Sequence, residues 1–211
     1  MKILVISSNL IGDNILSTGV IKYLSYNNPN AKFTFVMGPS ATPLFKNFQY
    51  VEKIITITKK RYNLHWLQIL RICIGKEWDI IIDFRSSLIS YFLNYKKKYI
   101  FKKNTINNHI QQLTDYFGFD CSDLYIQTSK EEDDIVEKNI SKNFNYFVIF
   151  PGGNWKPKIW DTQNYNSLIK KISLKNPDIK FIIVGSKEEE KLYLDQIIKN
   201  IESQKIINLF G

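Results

Sequence analysis

The carboxylate of Asp13 is the first side chain of the sequence that stands where it can do chemistry. It follows the small polar segment 7–12, which separates an apolar run, Ile3–Ile6, from a helix-like pattern. A helix amino terminus stabilises an ionised carboxylate, and an ionised carboxylate beside a sugar hydroxyl can accept its proton. The alternative is that Asp13 only caps the helix, because Asp is one of the preferred capping residues.

A strand and the helix after it must position this carboxylate. Ile3–Ile6 is short, apolar and rich in β-branched residues, as expected of a buried central strand in a parallel sheet. The helix begins near Gly12, and the loop before it lies at the carboxyl end of a strand, the usual ligand position of open α/β sheets. Because Gly12 is the only glycine there, the loop lacks what a phosphate-binding turn needs. The residues predicted to pack on the strand are Ile15, Leu16, Val20, Ile21 and Leu24.

The loop PGGNWKPKIWD, residues 151–161, is the second candidate site, and it follows an apolar strand pattern at Tyr146–Phe150. Adjacent glycines let backbone amides face a ligand, an asparagine adds a donor, and a lysine supplies a cation for phosphates. The alternatives are that the glycine pair is only a turn and that Trp155 and Trp160 pack in the core. The candidate ligand-binding residues are Gly152, Gly153, Asn154 and Lys158.

Two further carboxylates, Glu188 and Glu189, follow a strand and a Gly-Ser turn. Acidic residues at this place in nucleotide-binding folds accept hydrogen bonds from ribose hydroxyls. The alternative is that they only complement the dipole of the helix that begins there.

Strands and helices alternate along the whole chain, which predicts a doubly wound parallel sheet. The pattern restarts near Tyr146, so we predict a first domain at residues 1–140 and a second at 141–211. The predicted strands after the first are 32–37, 51–57, 78–83, 146–150, 180–184 and 205–209. The predicted helices after the first are 64–74, 86–93, 107–117, 162–175 and 188–200.

The segment 96–103 contains five lysines in eight residues and a probable edge strand. Lysines commonly protect the edge of a sheet from pairing with another chain, and we favour that interpretation over an anion-binding patch.

The composition is that of a globular protein with an anionic partner. Lys and Arg outnumber Asp and Glu by 29 to 20 in 211 residues, although a general bias towards Lys gives the same excess. A nucleic-acid partner is disfavoured, because no helix-turn-helix, zinc or aromatic sheet signature accompanies the charge.

Cys73 and Cys121 lack the spacing of metal ligands and indicate a reducing compartment. No run reaches the roughly 18 apolar residues of a membrane span, and polar residues interrupt the apolar start, so we expect no signal peptide and a cytoplasmic protein.

Five segments resemble bacterial lipopolysaccharide heptosyltransferases of glycosyltransferase family nine. KILVISSNLIGDNILSTGVIKYL is similar to the family's strand, small polar loop, Gly-Asp pair and apolar helix. WDIIIDFRSSLIS resembles a further strand and loop, and NNHIQQLTDYFGF resembles a His-containing helix that ends in Gly. FVIFPGGNWKPKIWDTQNYNSLIKKI resembles the segment with Pro-Gly, Lys-x-Trp and a helix, and FIIVGSKEEE completes the likeness.

The resemblance implies two Rossmann-like doubly wound parallel-sheet domains of the GT-B type. It implies an inverting sugar transfer that needs no metal and no cofactor, with Asp13 as the catalytic base on an acceptor hydroxyl. We assign acceptor contacts to Ser8, Asn9 and Gly12, in the same loop. The acceptor would be an anionic lipid-linked core saccharide.

The same resemblance implies a nucleotide-sugar donor, ADP-heptose, bound by the second domain. Its phosphates would lie at Gly152, Gly153, Asn154 and Lys158, and its ribose near Glu188, with Glu189 as the register neighbour.

The family continues past Gly211 with a helix and a strand that ends in an Asp-Ser-Gly-Pro-x-His loop. We therefore expect a truncated second domain and weak donor binding. Two rival hypotheses stay open. One is another nucleotide-sugar-dependent enzyme of GT-B fold, and the other is an inactive protein that only binds the acceptor.

Basic residues around an apolar helix suggest contact with a membrane. Arg61, Arg71 and Lys76 flank the helix that contains Trp66, and the run 96–103 adds more cations. Anionic lipid attracts such residues by about 1 kcal/mol each near the surface. We expect peripheral binding at the inner face of the inner membrane.

Overall fold

The computed structural model describes residues 1–58, 64–153, 155–199 and 201–211. The chain forms two compact units, Met1–Ser129 and Lys130–Gly211. The domain ranges 1–140 and 141–211 stay a prediction. The two units divide earlier, so the helix α4 (Lys130–Asn139) groups with the second.

The first unit is built on a five-stranded parallel sheet in the order β3-β2-β1-β4-β5. The central position predicted for the first strand is confirmed, since β1 pairs with both β2 and β4. Its core strands are apolar almost throughout, as burial on both faces requires. The strands are β1 (Lys2–Ile6), β2 (Lys32–Met37), β3 (Val51–Thr56), β4 (Glu77–Asp83) and β5 (Asn94–Ile100).

Helices cover both faces of this sheet, which confirms the doubly wound class. On one face, α1 (Ile11–Asn27) and α3 (His109–Phe117) close a core that contains Phe33 and Phe35. On the other face, α2 (His65–Cys73) and a 3-10 helix, Leu88–Tyr91, close a second core. A further 3-10 helix, Thr42–Phe45, precedes β3.

The predicted helix 86–93 is wrong, because only the 3-10 helix Leu88–Tyr91 forms there. Ser86 has φ 50°, in the left-handed region that a helix cannot contain. The carboxylate of Asp83 also accepts hydrogen bonds from the backbone N–H groups of Arg85 and Ser87, at 2.9 and 2.8 Å. The chain therefore turns tightly after β4 before it becomes helical.

The buried face of α1 is partly the predicted apolar one. Val20 and Ile21 are buried in the core and Leu24 packs against it, as predicted, whereas Ile15 and Leu16 are half-buried and small or polar side chains take the other buried positions. A Cβ on Gly19 would collide with the backbone carbonyl of Cys121, so this close approach requires glycine. The buried residues of α1 are Asn14, Ser17, Thr18, Gly19, Val20, Ile21 and Ser25.

The second unit is a smaller parallel sheet in the order β6-β7-β8. Its core joins Ile149, Phe181 and Ile183 of the strands to Ile169 and Ile197 of two helices. Apart from α4, its elements are β6 (Tyr146–Ile149), α5 (Thr162–Lys175), β7 (Lys180–Gly185), α6 (Lys187–Ile198) and β8 (Ile206–Phe210), with 3-10 helices at Lys156–Lys158 and Ser203–Lys205.

In the part of the chain that the structure describes, no helix is long and apolar enough to cross a membrane.

Candidate functional site

A fully buried amide, that of Asn14, shapes the loop after β1. Its Nδ2 donates to the carbonyl oxygens of Ser8 and Leu10 at 2.8 and 2.7 Å, and its Oδ1 accepts from the Ser7 hydroxyl at 2.7 Å. Two of these contacts satisfy the Ser7 hydroxyl and the Ser8 carbonyl, whereas the Leu10 carbonyl also accepts from the backbone N–H of Asn14 at 3.2 Å. Asn14 therefore fixes the loop from which the first turn of α1 begins.

Asp13 lies in the first turn of α1, but it is not the capping residue. The N-cap is Leu10, which gives no side-chain hydrogen bond to the helix. The carboxylate is 29% exposed, at the carboxyl edge of the central strand. A cap hydrogen bond therefore does not hold Asp13 in place, and its oxygens face other parts of the first unit.

Two basic side chains from distant segments meet the same oxygen of Asp13. Nζ of Lys103 lies 3.2 Å from Oδ1, and Nδ1 of His109 lies 3.9 Å from it. Lys103 follows the edge strand β5, and His109 is the first residue of α3. Strand ends and a helix start thus gather a carboxylate, an ammonium and an imidazole at one edge of the sheet.

The imidazole of His109 is nearly buried and stacks on Phe101, with ring centroids 5.6 Å apart. Burial lowers the pKa of His109, and the nearby charge of Lys103 lowers this pKa further, while Asp13 opposes the shift. Its Nδ1 is a buried atom without a hydrogen-bond partner in the part that the structure describes. The geometry therefore places Nδ1 of the imidazole opposite a carboxylate, just beyond hydrogen-bond distance.

The other residues predicted to bind the acceptor lie in the same loop and differ in how closely their neighbours surround them. The Ser8 hydroxyl accepts from the backbone N–H of Leu10 at 3.1 Å. Asn9 packs against Gly38, where a Cβ would approach its Cγ to 2.7 Å. Gly12 is exposed, and a Cβ there would meet nothing.

Asp83, the next carboxylate at this edge, has a structural role. It is fully buried and accepts from the Ser87 hydroxyl at 2.6 Å besides the two backbone donors of the tight turn. With both oxygens engaged and no exposure, its side chain cannot reach an acceptor hydroxyl without breaking the turn.

The lysine-rich segment 96–103 divides into two parts. Among the described residues, β5 pairs in the sheet with β4 alone, so Lys96, Lys97 and Lys98 lie on an edge strand, as predicted. Lys96 pairs with Asp79 at 2.6 Å. Lys103 lies beyond the strand and turns to Asp13 instead.

In the second unit, the loop after β6 meets the start of α6. A Cβ on Gly152 would collide with the carboxylate of Glu189, so a larger residue at this position would have to displace that side chain. Glu189 forms a capping box with Ser186: its Oε2 accepts from the Ser186 N–H at 2.8 Å, and its own N–H donates to the Ser186 hydroxyl at 3.2 Å. Glu189 is therefore committed to the helix start.

The remaining residues predicted to bind the donor are exposed. Gly153 and Glu188 lie on the surface, and Lys158 lies in the 3-10 helix with its Nζ 5.7 Å from the Trp155 ring. Asn154 lies outside the described residues. The packing interpretation of Trp155 is wrong, because its side chain is 61% exposed.

Trp160 is 47% exposed and meets the Tyr165 ring edge-on, with centroids 5.1 Å apart. Across the ranges that the structure describes, no group of three or more His, Cys, Asp or Glu side chains is arranged to hold a metal ion.

Most of the chain matches a known family. The model of glycosyltransferase family 9 (heptosyltransferase) matches residues 66–211, which is more than half of the chain. The chain belongs to this family. The predicted membership and the glycosyltransferase class are thereby confirmed, and no curated protein matches the chain.

Solved structures of family 9 proteins share the fold. A glycosyl transferase family 9 protein from Veillonella parvula has a TM-score of 0.73 at 16% identity, covering 100% of this chain and 69% of that one. E. coli heptosyltransferase WaaC with ADP has a TM-score of 0.70 at 12% identity, covering 99% and 75%. E. coli ADP-heptose lps heptosyltransferase II has a TM-score of 0.68 at 16% identity, covering 100% and 73%.

The fold extends beyond family 9. A UDP-GlcNAc 2-epimerase from Neisseria meningitidis has a TM-score of 0.55 at 12% identity. Fold alone therefore does not distinguish a family 9 transferase from an enzyme with other chemistry, and the residues of the site decide between them.

Two features of the site are absent from the predictions made from the sequence. The first is the buried Asn14, whose spacing to the small residues Ser17, Thr18 and Ser25 shows that they share one face of the helix. That spacing was the available signal. No local signal shows that Lys103 and His109 reach Asp13.

Proposed function

We propose that the protein transfers a sugar, heptose, from the donor ADP-heptose to an anionic lipid-linked core saccharide at the cytoplasmic face of a membrane. The transfer inverts the anomeric centre and uses no metal ion. Family membership supports a glycosyltransferase. The related WaaC structures with ADP and with ADP-2-deoxy-2-fluoro heptose support the choice of donor.

The observation that carries the proposal is the position of Asp13, half-buried at the carboxyl edge of the central strand and not used as a cap. As the acceptor hydroxyl attacks the anomeric carbon, its O–H proton passes to the Asp13 carboxylate. The bond between the anomeric carbon and the diphosphate oxygen breaks, and ADP leaves with that electron pair. General-base catalysis of this kind contributes about 10²–10⁴ in rate.

The negative charge of the acceptor takes part in this step by pairing with Lys103. The Lys103 ammonium pairs with Asp13 in the protein alone. A phosphate or carboxylate on the acceptor offers Lys103 a second anionic partner, which releases an oxygen of Asp13 for the proton. His109 then stands ready to donate Nδ1–H to the carboxylate and hold its orientation.

We assign the acceptor to the first unit, through Ser8, Asn9 and Gly12, and the donor to the second. Gly153 and Lys158 are exposed, so a diphosphate can reach them. Gly152 has no side chain that would cover the backbone at this point of the loop. Within the described ranges the side chain of Glu188 makes no hydrogen bond or ion pair, so its carboxylate remains able to accept from ribose hydroxyls. These assignments, with Asn154, complete the proposed donor site.

Calorimetry with ADP and UDP tests the donor half of the proposal. We expect ADP to bind more tightly than UDP, and Lys158→Ala to weaken ADP binding about fivefold, the effect of one exposed charge contact of roughly 1 kcal/mol. Lys156→Ala is the matched control, because Lys156 is exposed in the same 3-10 helix.

Other outcomes point to the rival hypotheses. A preference for UDP favours a different nucleotide-sugar enzyme on the same fold, and the absence of any nucleotide binding favours an inactive protein that binds only the acceptor. Equal effects of Lys156→Ala and Lys158→Ala remove Lys158 from the donor site.

A further inference from the structure

A groove of about 490 Å³ lies between α2 and the 3-10 helix Leu88–Tyr91 on the second face of the first unit. Its walls are mainly apolar, and Ile89 at its base belongs to the buried core. The tight turn after β4 closes one end with Arg85. The lining residues are Trp66, Leu67, Leu70, Arg85, Ser86, Ser87, Leu88, Ile89 and Phe92.

Large apolar side chains at the mouth of this groove face solvent. Leu67 is 62% exposed, Leu88 76% and Phe92 65%. Leu64 and Tyr91, which adjoin the lining segments in the sequence, are also exposed, at 51% and 61%. A contiguous apolar surface of this kind on a globular protein marks a binding site.

Arg85 is the charged residue that lines the groove. The segments that contribute the lining residues, 64–76 and 84–98, contain no Asp or Glu, although Lys96 is paired with Asp79 of β4. The guanidinium of Arg85 lies 4.9 Å from the Trp66 ring, and Nζ of Lys98 lies 3.9 Å from the Tyr91 ring. The aromatic rings thus hold cations beside the apolar surface, where they can meet an anion. The basic residues of the two segments are Arg71, Lys76, Arg85, Lys96, Lys97 and Lys98.

We propose that this surface binds an anionic lipid bilayer, with Leu67, Leu88 and Phe92 entering the acyl region and Arg85 meeting a lipid phosphate. An apolar face bordered by cations is the combination that anionic membranes attract. This proposal rests on the proposed function and deepens it, because an enzyme whose acceptor is lipid-linked must bind the membrane that contains the acceptor.

A second copy of the chain fits this surface less well than a bilayer. A two-fold contact would place the same cations of the two copies opposite each other, and neither wall carries an acidic residue to compensate. Charge complementarity therefore favours lipid.

The surface differs from the one expected from the sequence. Trp66 is partly buried against the second core and under Arg85, so the leucines and Phe92 form the contact instead. Lys76 lies 5.9 Å from the Trp78 ring. Arg61 lies outside the described residues.

Co-sedimentation of the full chain with phosphatidylcholine vesicles, with and without phosphatidylglycerol, tests the inference. We expect binding to the anionic vesicles that weakens with salt. Leu88→Glu should reduce it at least about tenfold, since an exposed leucine that inserts fully is worth 1.5–3 kcal/mol. Arg85→Gln should reduce anionic binding about fivefold and leave binding to neutral vesicles unchanged.

Matched controls exist in the second unit. Leu174, 74% exposed on α5, is as accessible as Leu88, so Leu174→Glu should leave vesicle binding unchanged, as should Lys175→Gln. Both leucines are too exposed for either change to unfold the protein, which circular dichroism checks.

Three results would overturn the inference. One is equal binding to neutral and anionic vesicles, and another is equal effects of Leu88→Glu and Leu174→Glu. The third is self-association without lipid that Leu88→Glu abolishes, which assigns the surface to a second copy. Because the vesicles contain neither donor nor acceptor, the result is independent of sugar transfer, so this inference and the proposed function can fail separately.

Discussion

The ammonium of Lys103 lies 3.2 Å from Oδ1 of Asp13, although 90 residues separate the two in the sequence. Parallel strands explain the meeting, because β1 and the edge strand β5 end at the same side of the sheet. Nδ1 of His109 faces the same oxygen from 3.9 Å. In the protein alone, therefore, the carboxylate that we propose as the base is paired with the ammonium of Lys103, and the imidazole of His109 lies close to the same oxygen.

This arrangement predicts opposite shifts in the pKa of His109 for two substitutions. Lys103→Gln should raise it, because the ammonium disfavours a charged imidazole, and Asp13→Asn should lower it, because the carboxylate favours one. The measurement is an NMR titration of the imidazole C–H signals, which is simple because the chain has only two histidines.

His65 is the internal control for that titration, since it lies on α2, on the other face of the sheet. Its pKa should be the same in both variants. Shifts of His109 in the same direction in both, or none in either, would show that the three side chains are not neighbours in solution.

A second prediction concerns the buried amide of Asn14. Asn14→Ala leaves the buried Ser7 hydroxyl and the Ser8 carbonyl without their partner, while the Leu10 carbonyl keeps its bond from the backbone N–H of residue 14. Each buried unsatisfied group costs about 1–3 kcal/mol. We expect the free energy of unfolding, measured with urea, to fall by roughly 2 kcal/mol or more.

Asn27→Ala is the comparison, because Asn27 lies on the same helix but is exposed, with one bond to the Tyr23 carbonyl at 2.9 Å. Its cost should stay within about 0.5 kcal/mol. Similar costs for the two alanine variants would contradict the proposed anchoring of the loop.

A third prediction links Gly152 to the start of α6. Gly152→Ala should displace the carboxylate of Glu189 and break the capping box, at a cost of about 0.5–2 kcal/mol in unfolding free energy. Gly153→Ala should cost less, because the nearest atom to a Cβ there is Cγ1 of Ile159, at 3.8 Å.

A double-mutant cycle isolates the contact behind this effect. In a Glu189→Ala background, Gly152→Ala should cost much less than in the parent chain, because the carboxylate that it displaces is gone. Additive costs would mean that Gly152 is needed for some reason other than Glu189.

Elements with strong patterns could be predicted from the sequence. The helix Thr162–Lys175 and the strand Lys32–Met37 have the predicted bounds, since apolar periodicity and flanking turn residues define them clearly. The segment 86–93 could not, because the hydrogen bonds of Asp83 and the positive φ of Ser86 override its helical pattern.

The candidate site could be predicted only in part. The place of Asp13 follows from a strand, a loop and a helix that adjoin in sequence. Its neighbours Lys103 and His109 come from segments whose positions depend on the strand order and on the packing of α3. The capping hypothesis for Asp13 is locally reasonable, but the N-cap is Leu10, three residues earlier.

The central claim is that Asp13 is the general base. The most direct test is the turnover of Asp13→Asn with ADP-heptose and a lipid-linked acceptor, measured beside ADP affinity and unfolding free energy. The account predicts that turnover falls by about 10²–10⁴, while ADP affinity and stability stay nearly unchanged, because Asp13 is neither the cap nor part of the second unit. Undiminished turnover in Asp13→Asn would contradict it.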